Sequence, residues 1–205
     1  MREGIAEAAE ALRRAHSVAI CCHLNPDGDT IGTALALRLA LLGMDKAVRV
    51  FCVDKVPEQV ATLPGAGEIC GYESLRAGES FDLLFPVDVS DASRMGPGAF
   101  EAMAARSAAT CQLDHHETNP GYCQVNCVDG HAPAAGIVLR ELLAVLGVPL
   151  NREIAECLYA AIATDTGNFS FNNVTPETFR VAAELLEAGL PLADMNRRLF
   201  SLQPE

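Results

Sequence analysis

No apolar stretch in this 205-residue chain is long enough to cross a bilayer. The longest, residues 31–44, is broken by Arg38 and falls short of the roughly 20 residues a span requires. Residues 1–20 mix acids and bases, unlike a signal peptide, so the chain reads as unprocessed, soluble and cytoplasmic. Positive charge is also scarce: 15 Lys and Arg face 27 Asp and Glu, a formal charge of −12. That balance argues against a protein that grips long duplex nucleic acid through its surface field and fits a small, metal-held substrate better. No CxxC pair occurs among the eight cysteines, Cys21 and Cys22 are adjacent, and several lie in strand-like apolar runs. Reduced and mostly buried thiols are expected, rather than a disulfide framework or a zinc site. Repeats, low-complexity tracts and linkers are absent too. With half of its residues hydrophobic, the chain reads as one domain over residues 1–205 with its own core.

Periodicity then supplies the elements. Ile5, Ala8, Ala9 and Leu12 fall at helical spacing, and residues 17–22 form a continuous apolar strand. Ile31, Leu35, Leu39 and Leu42 mark a second helix, with Gly43 expected in a left-handed closing position. Residues 47–53, 81–87 and 110–113 read as strands, with helical material over 98–106. Residues 57–80 are too rich in Pro and Gly to assign beyond a helical turn at 58–62. Later helices are predicted over 134–146, 152–163 behind Asn151, and 176–188 behind Thr175. A short helix is expected over 191–200, and residues 201–205 carry no element. Strands alternating with helices predict an α/β fold with a parallel sheet and helices on both faces.

Acids and histidines cluster where strands end. His23, Asp27 and Asp29 follow the first strand, Asp88 a later one, and Asp114, His115 and His116 another; Asp165 follows the helix from residue 152. Loops at the carboxyl ends of parallel strands form the ligand crevice, so these clusters should converge. Each piece has a structural reading as well: Asn25-Pro26-Asp27-Gly28-Asp29 is a good turn and helix start, and Asp114 could cap a helix. Carboxylates crowded into one crevice repel one another unless cations neutralise them. Oxygen ligands with imidazole and no thiolate suit manganese best, with magnesium or cobalt as alternatives. Two ions about 3.5–4 Å apart would clamp a phosphoryl group for in-line attack.

His23-Leu24-Asn25-Pro26-Asp27-Gly28-Asp29 with Gly32, Val87-Asp88, Asp114-His115-His116, and Ala163-Thr164-Asp165-Thr166-Gly167 with Phe169 resemble, in order and spacing, the four motifs of the DHH phosphoesterase superfamily. The first motif looks most like the nano-RNase/pAp-phosphatase and RecJ-like branch. The resemblance implies two divalent metals, with His23 and Asp27 on the first, Asp29, His115 and Asp165 on the second, and Asp88 bridging both. It also implies that His116 lies beside the substrate phosphate and that Asp114 orients a histidine, with Asn25 either supporting a ligand or contacting the phosphate. Pro86 and the run His131-Ala132-Pro133-Ala134-Ala135-Gly136 depart from the expected pattern, and His131 reads as a loop residue.

The resulting expectation is hydrolysis of short oligoribonucleotides or 3′-phosphoadenosine 5′-phosphate. Pyrophosphate, polyphosphate or a cyclic dinucleotide are alternative substrates, and a non-catalytic metal- or nucleotide-binding module or a metal-free anion binder are alternatives of another class. The partner is a nucleotide or short oligonucleotide, without a membrane; the oligomeric state is left open, a homodimer included. Nothing after Leu190 resembles the glycine-rich motif of a C-terminal DHH-associated domain, so that domain is expected to be missing and the chain to be a truncated catalytic domain.

Overall fold

The computed structural model describes residues 1–201. Five strands, β1 (Ser17–Cys21), β2 (Ala47–Phe51), β3 (Phe81–Pro86), β4 (Ser107–Asp114) and β5 (Val125–Val128), form one parallel sheet in the order β2-β1-β3-β4-β5. Around it run α1 (Ile5–Arg14), α2 (Gly28–Leu42), α3 (Ala99–Ala104), α4 (Ala135–Leu146), α5 (Arg152–Asp165), α6 (Pro176–Glu187) and α7 (Leu192–Asn196). Successive side chains of a strand point to opposite faces, and this sorts β1. Val18, Ile20 and the following Cys22 enter one core, while Ala19 and Cys21 enter the other.

Helices therefore lie on both faces, as the sequence predicts, but unequally. The larger core is closed by α1, α2, α4, α5 and α6. The smaller one, around Phe51, Phe81, Leu84 and Met103, has only α3 and short turns over it.

Local chemistry sets the helix ends. Asp27 caps α2 by accepting from the amides of Asp29 and Thr30, Asn151 caps α5 through Ile154 N, and Thr175 and Thr178 form a reciprocal capping box ahead of α6 with Pro176 at its start. Helices α2 and α5 approach unusually closely. A Cβ added at Gly28 would fall 2.4 Å from the Thr164 side chain, and one at Gly32 would fall 2.4 Å from Cys157 O. Gly32 thus lets the two backbones meet and Gly28, one turn earlier, leaves room for Thr164, which brings the end of α5 to the start of α2.

Several local expectations are corrected. Gly43 is right-handed (φ −65°) because its amide still reaches Leu39 O; the chain reverses two residues later at Asp45 (φ 57°), where Lys46 N returns to Leu41 O. Residues 58–62 form consecutive hydrogen-bonded turns, and the segment left unassigned beyond them holds 3-10 turns at Ala66–Glu68 and Tyr72–Ser74. Helix α5 runs on to Asp165, so that acid sits in a helical turn rather than beyond one. Strand β5 has no counterpart in the sequence reading. After α7 a π-type turn spans Arg197–Ser201, so Ser201 does belong to an element; residues 202–205 lie outside the described residues.

All eight cysteines are free, seven of them buried. Among the described residues no helix is long and apolar enough to cross a membrane.

Candidate metal centre

At the carboxyl edge of the sheet the separate motifs converge. His23 follows β1, Asp27 and Asp29 open α2, Asp88 follows β3, His115 follows β4, and Asp165 ends α5. One ligand atom from each of His23, Asp27 and Asp88 lies within 4.8 Å of the others, and the same holds for Asp29, His115 and Asp165. Asp88 touches both groups: its Oδ2 is 3.6 Å from His23 Nε2 and its Oδ1 is 3.4 Å from His115 Nε2. His115 Nε2 also lies 3.5 Å from Asp29 Oδ2 and 3.2 Å from Asp165 Oδ2. The floor is buried and the rim open, since the Asp29 side chain is 0 % exposed, Asp165 28 % and Asp27 53 %.

Each side chain is aimed by a second contact. His23 Nδ1 bonds Leu24 O at 2.7 Å and His115 Nδ1 bonds Ala132 O at 3.1 Å, which turns both Nε2 atoms toward the carboxylates. Asp27 spends Oδ1 on its capping amides and leaves Oδ2 facing His23. Asp29 is held by the amides of Ala135 (2.6 Å) and Gly136 (3.0 Å) at the start of α4 and by Thr33 Oγ1 (3.0 Å). The small-residue run before α4, which departs from the expected pattern, therefore serves through its backbone; no hydroxyl is needed there. Sequence reasoning missed the two amides because they lie 106 and 107 residues from Asp29, and it missed Thr33, one helical turn on, because a threonine inside a helix carries no local signal of the contact.

Asp88 is strained and only partly satisfied. Its backbone is left-handed (φ 57°), its residue is 3 % exposed, and its buried Oδ1 has no hydrogen-bond partner. A left-handed aspartate costs of order 1 kcal/mol or more unless its surroundings compel it, and an orphaned buried carboxylate oxygen is costly in itself. Thr30 Oγ1, donating to Val87 O, ties the preceding residue to α2.

Charge is concentrated in the same place. Burial, reinforced by Asp88 and Asp165, holds the Asp29 carboxyl well above the usual carboxylate range. Burial would lower the histidines, but Asp27 and Asp88 outweigh it and lift His23 to about 10, and Asp165 and Asp88 lift His115 to about 12. Four carboxylates around two imidazoles thus demand cationic compensation. The oxygen-rich donors, the orphaned Asp88 Oδ1 and the two aimed Nε2 atoms fit divalent ions.

Asp114 and His116 form a neighbouring pair. His116 Nδ1 donates to Asp114 Oδ1 at 2.8 Å, and its ring packs against His115 with centroids 4.6 Å apart. Asp114 is fully buried; the donors His116 and Asn119 outweigh burial and hold its carboxyl below the usual range. His116 Nδ1 is 3.7 Å from Asp88 Oδ1, and its side chain is 42 % exposed. Asn25 stands apart: exposed and left-handed (φ 51°), it gives its backbone amide to Asp54 Oδ2, and among the described residues its side chain makes no hydrogen bond.

The same chain resembles known proteins over most of its length. It is 36% identical over 193 residues to the bifunctional oligoribonuclease and PAP phosphatase NrnA of Thermus thermophilus, covering 93% of this chain and 56% of that one. It is 25% identical over 183 residues to the NrnA of Bacillus subtilis, covering 87% and 55%. The chain thus spans little more than half the length of these relatives. Among solved structures, an exopolyphosphatase-related protein from Bacteroides fragilis superposes with a TM-score of 0.91 at 25% identity, over 98% of this chain and 61% of that one. A putative family II inorganic pyrophosphatase from Methanococcus jannaschii shares the fold, with a TM-score of 0.63 at 17% identity over 88% and 61%. Residues 17–162 match the N-terminal domain of the DHH family, and with strand ends, acids and histidines in this order the chain belongs to that family.

Proposed function

We propose that this chain is the catalytic part of a two-metal phosphoesterase, manganese-dependent, that hydrolyses short oligoribonucleotides or 3′-phosphoadenosine 5′-phosphate in the manner named for its NrnA relatives. The observation that carries the reading is the position of Asp88, which groups with His23 and Asp27 through one oxygen and reaches His115 of the Asp29–His115–Asp165 group through the other at 3.4 Å. In this reading His23 and Asp27 hold one ion, Asp29, His115 and Asp165 the other, and Asp88 serves both. Bound divalent ions would supply Lewis acidity and a nucleophile at neutral pH.

The chain's own residues do the rest. Asp27 and Asp165 stand at the open rim and face an arriving phosphate, while Asp29 and Asp88 form the floor. His116, half exposed beside Asp88, presents its free ring edge to the phosphoryl oxygens, and Asp114 keeps that ring from turning. The experiment is elemental analysis and calorimetric titration with Mn²⁺, followed by turnover of pAp, a diribonucleotide and pyrophosphate. Two bound ions and turnover of the first two substrates are expected; metal-independent turnover, or pyrophosphate as the only substrate, contradicts the reading.

A further inference from the structure

Beneath the Asp114–His116 pair lies a ladder of amides that none of the family motifs includes. Gln112 and Asn126 are register partners on β4 and β5. Gln112, 1 % exposed, donates from Nε2 to Asn126 Oδ1 (2.6 Å) and to Asn119 Oδ1 (3.1 Å). Asn119 in turn donates from Nδ2 to Asp114 Oδ2 (2.6 Å), to Gln112 Oε1 (3.0 Å) and to Val89 O (3.3 Å).

The direction of this ladder is fixed from its far end by backbone. Cys123 N donates to Asn126 Oδ1 at 3.0 Å while Asn126 Nδ2 donates to Cys123 O at 2.8 Å, so that amide has one orientation. Asn126 then accepts from Gln112, which obliges Gln112 Nε2 to face it. Gly121 N donates to Asn119 Oδ1 at 2.8 Å, so Nδ2 of Asn119 must point at Asp114. With Oδ2 of the buried Asp114 occupied in this way, Oδ1 is left to take the His116 Nδ1 proton. Asn119 also spans two segments of the metal centre, the one after Asp88 through Val89 O and the one at Asp114.

We propose that Asn119 is a positioning residue for the phosphoesterase reaction: it holds Asp114 so that His116 keeps its proton on Nδ1 and turns Nε2 to the crevice. Gln112 and Asn126 set the direction of the Asn119 amide and so couple that ring to the β4–β5 register. The inference rests on the proposed function for its kinetic consequence but not for its geometry. Buried partners of this kind carry roughly 10–100-fold in activity.

The test uses the whole chain with ¹⁵N-labelled histidine, as wild type, Asn119→Ala, Asn119→Asp and, as the reference for full loss, Asp114→Asn. Long-range ¹H–¹⁵N spectra of the metal-free protein, recorded on the neutral ring, report the His116 tautomer; circular dichroism reports folding. The expected result is an Nδ1–H tautomer in wild type and its replacement by Nε2–H in both Asn119 variants. With Mn²⁺, kcat on pAp should fall about 10–100-fold while KM and Mn²⁺ uptake stay close to wild type. Asn119→Ala, which leaves no new charge beside Asp114, decides the matter if Asn119→Asp does not fold. A folded Asn119→Ala protein that keeps the Nδ1–H tautomer, or that loses kcat only in step with Mn²⁺ uptake, overturns the proposal. A wild-type protein inactive on phosphate esters sinks the phosphoesterase reading instead, and the tautomer spectra still decide the role of Asn119.

Discussion

On one face of the sheet α2 and α5 meet closely, Gly32 against the α5 backbone and Gly28 against the Thr164 side chain; on the other the cover is α3, six residues long, with 3-10 turns beside it. The difference matters because the tightly packed face holds most of the candidate metal centre. Asp27 and Asp29 ride on α2, Asp165 on α5, and the amides that hold Asp29 open α4. The placement of these acids is a by-product of helix packing. The thin face borders Asp88 and Asp114 only through the segments that follow β3 and β4, and the ordering there comes from hydrogen bonds such as those of Asn119. Packing fixes one half of the site and polar networks the other.

The largest effect should come from disturbing the packed face. In Gly32→Ala the new Cβ would sit 2.4 Å from Cys157 O and 2.8 Å from Ala161 N, both backbone atoms that cannot give way cheaply. Urea unfolding should show a loss beyond about 3 kcal/mol, and whatever folds should bind Mn²⁺ more weakly, because Asp29 and Asp165 are pushed apart. Retained stability and retained affinity would break the comparison.

On the thin face Met103→Ala removes a fully buried side chain from the small core. The cost should be about 2–4 kcal/mol, with Mn²⁺ affinity unchanged at a temperature where the variant is folded. Equal damage to binding would mean that the two faces share the support of the site.

A smaller effect sharpens the same contrast. Arg2 joins Asp129 after β5, Glu141 on α4 and Glu177 on α6, with contacts of 2.5 to 3.1 Å. Burial works against the Asp129 and Glu141 carboxylates, but the Arg2 guanidinium outweighs it and holds both below their ordinary range. Depressed carboxyls stabilise the fold above their unfolded pKa values and stop doing so as pH falls through the folded ones. Arg2→Ala should therefore cost about 1–2 kcal/mol at pH 7, and the gap to wild type should close below about pH 4. A gap independent of pH would remove ion pairing as its cause. Smallest of all, amides of α3 and residues 57–80 should exchange with deuterium before those of α2 and α5, since thin cover opens locally.

The same contrast decides what could be read from sequence. The long helices announce themselves because one-sided burial imposes a period, as at Ile31 and Leu35, and because Asn151, Thr175 and Pro176 are local signals. The strands β1 to β4 are apolar runs for the same reason. Strand β5 is only four residues long, and residues 57–80 are held by turns, a bridge between Phe51 and Cys70 and ion pairs from Arg38 and Arg49 rather than by a long helix or strand, so neither has a period to show. The convergence of the acids and histidines from His23 to His116 at one edge is legible as a pattern of strand ends. Their supports are not, because Asp29 to Ala135 and Gly136, or Asn119 to Val89, join positions that only the folded chain brings together. Gly43 shows a different limit: glycine permits a left-handed turn, but hydrogen bonding placed it at Asp45.

The central claim is that Asp88 serves two ions while His23 serves one. It is tested most directly by titrating Mn²⁺ into wild type, Asp88→Asn and His23→Ala, with calorimetry for affinity and elemental analysis for stoichiometry. The account requires two ions in wild type, weakened binding of both in Asp88→Asn, and one retained ion of near-normal affinity in His23→Ala. Identical losses in the two variants, or a wild-type protein that binds a single ion, would contradict it.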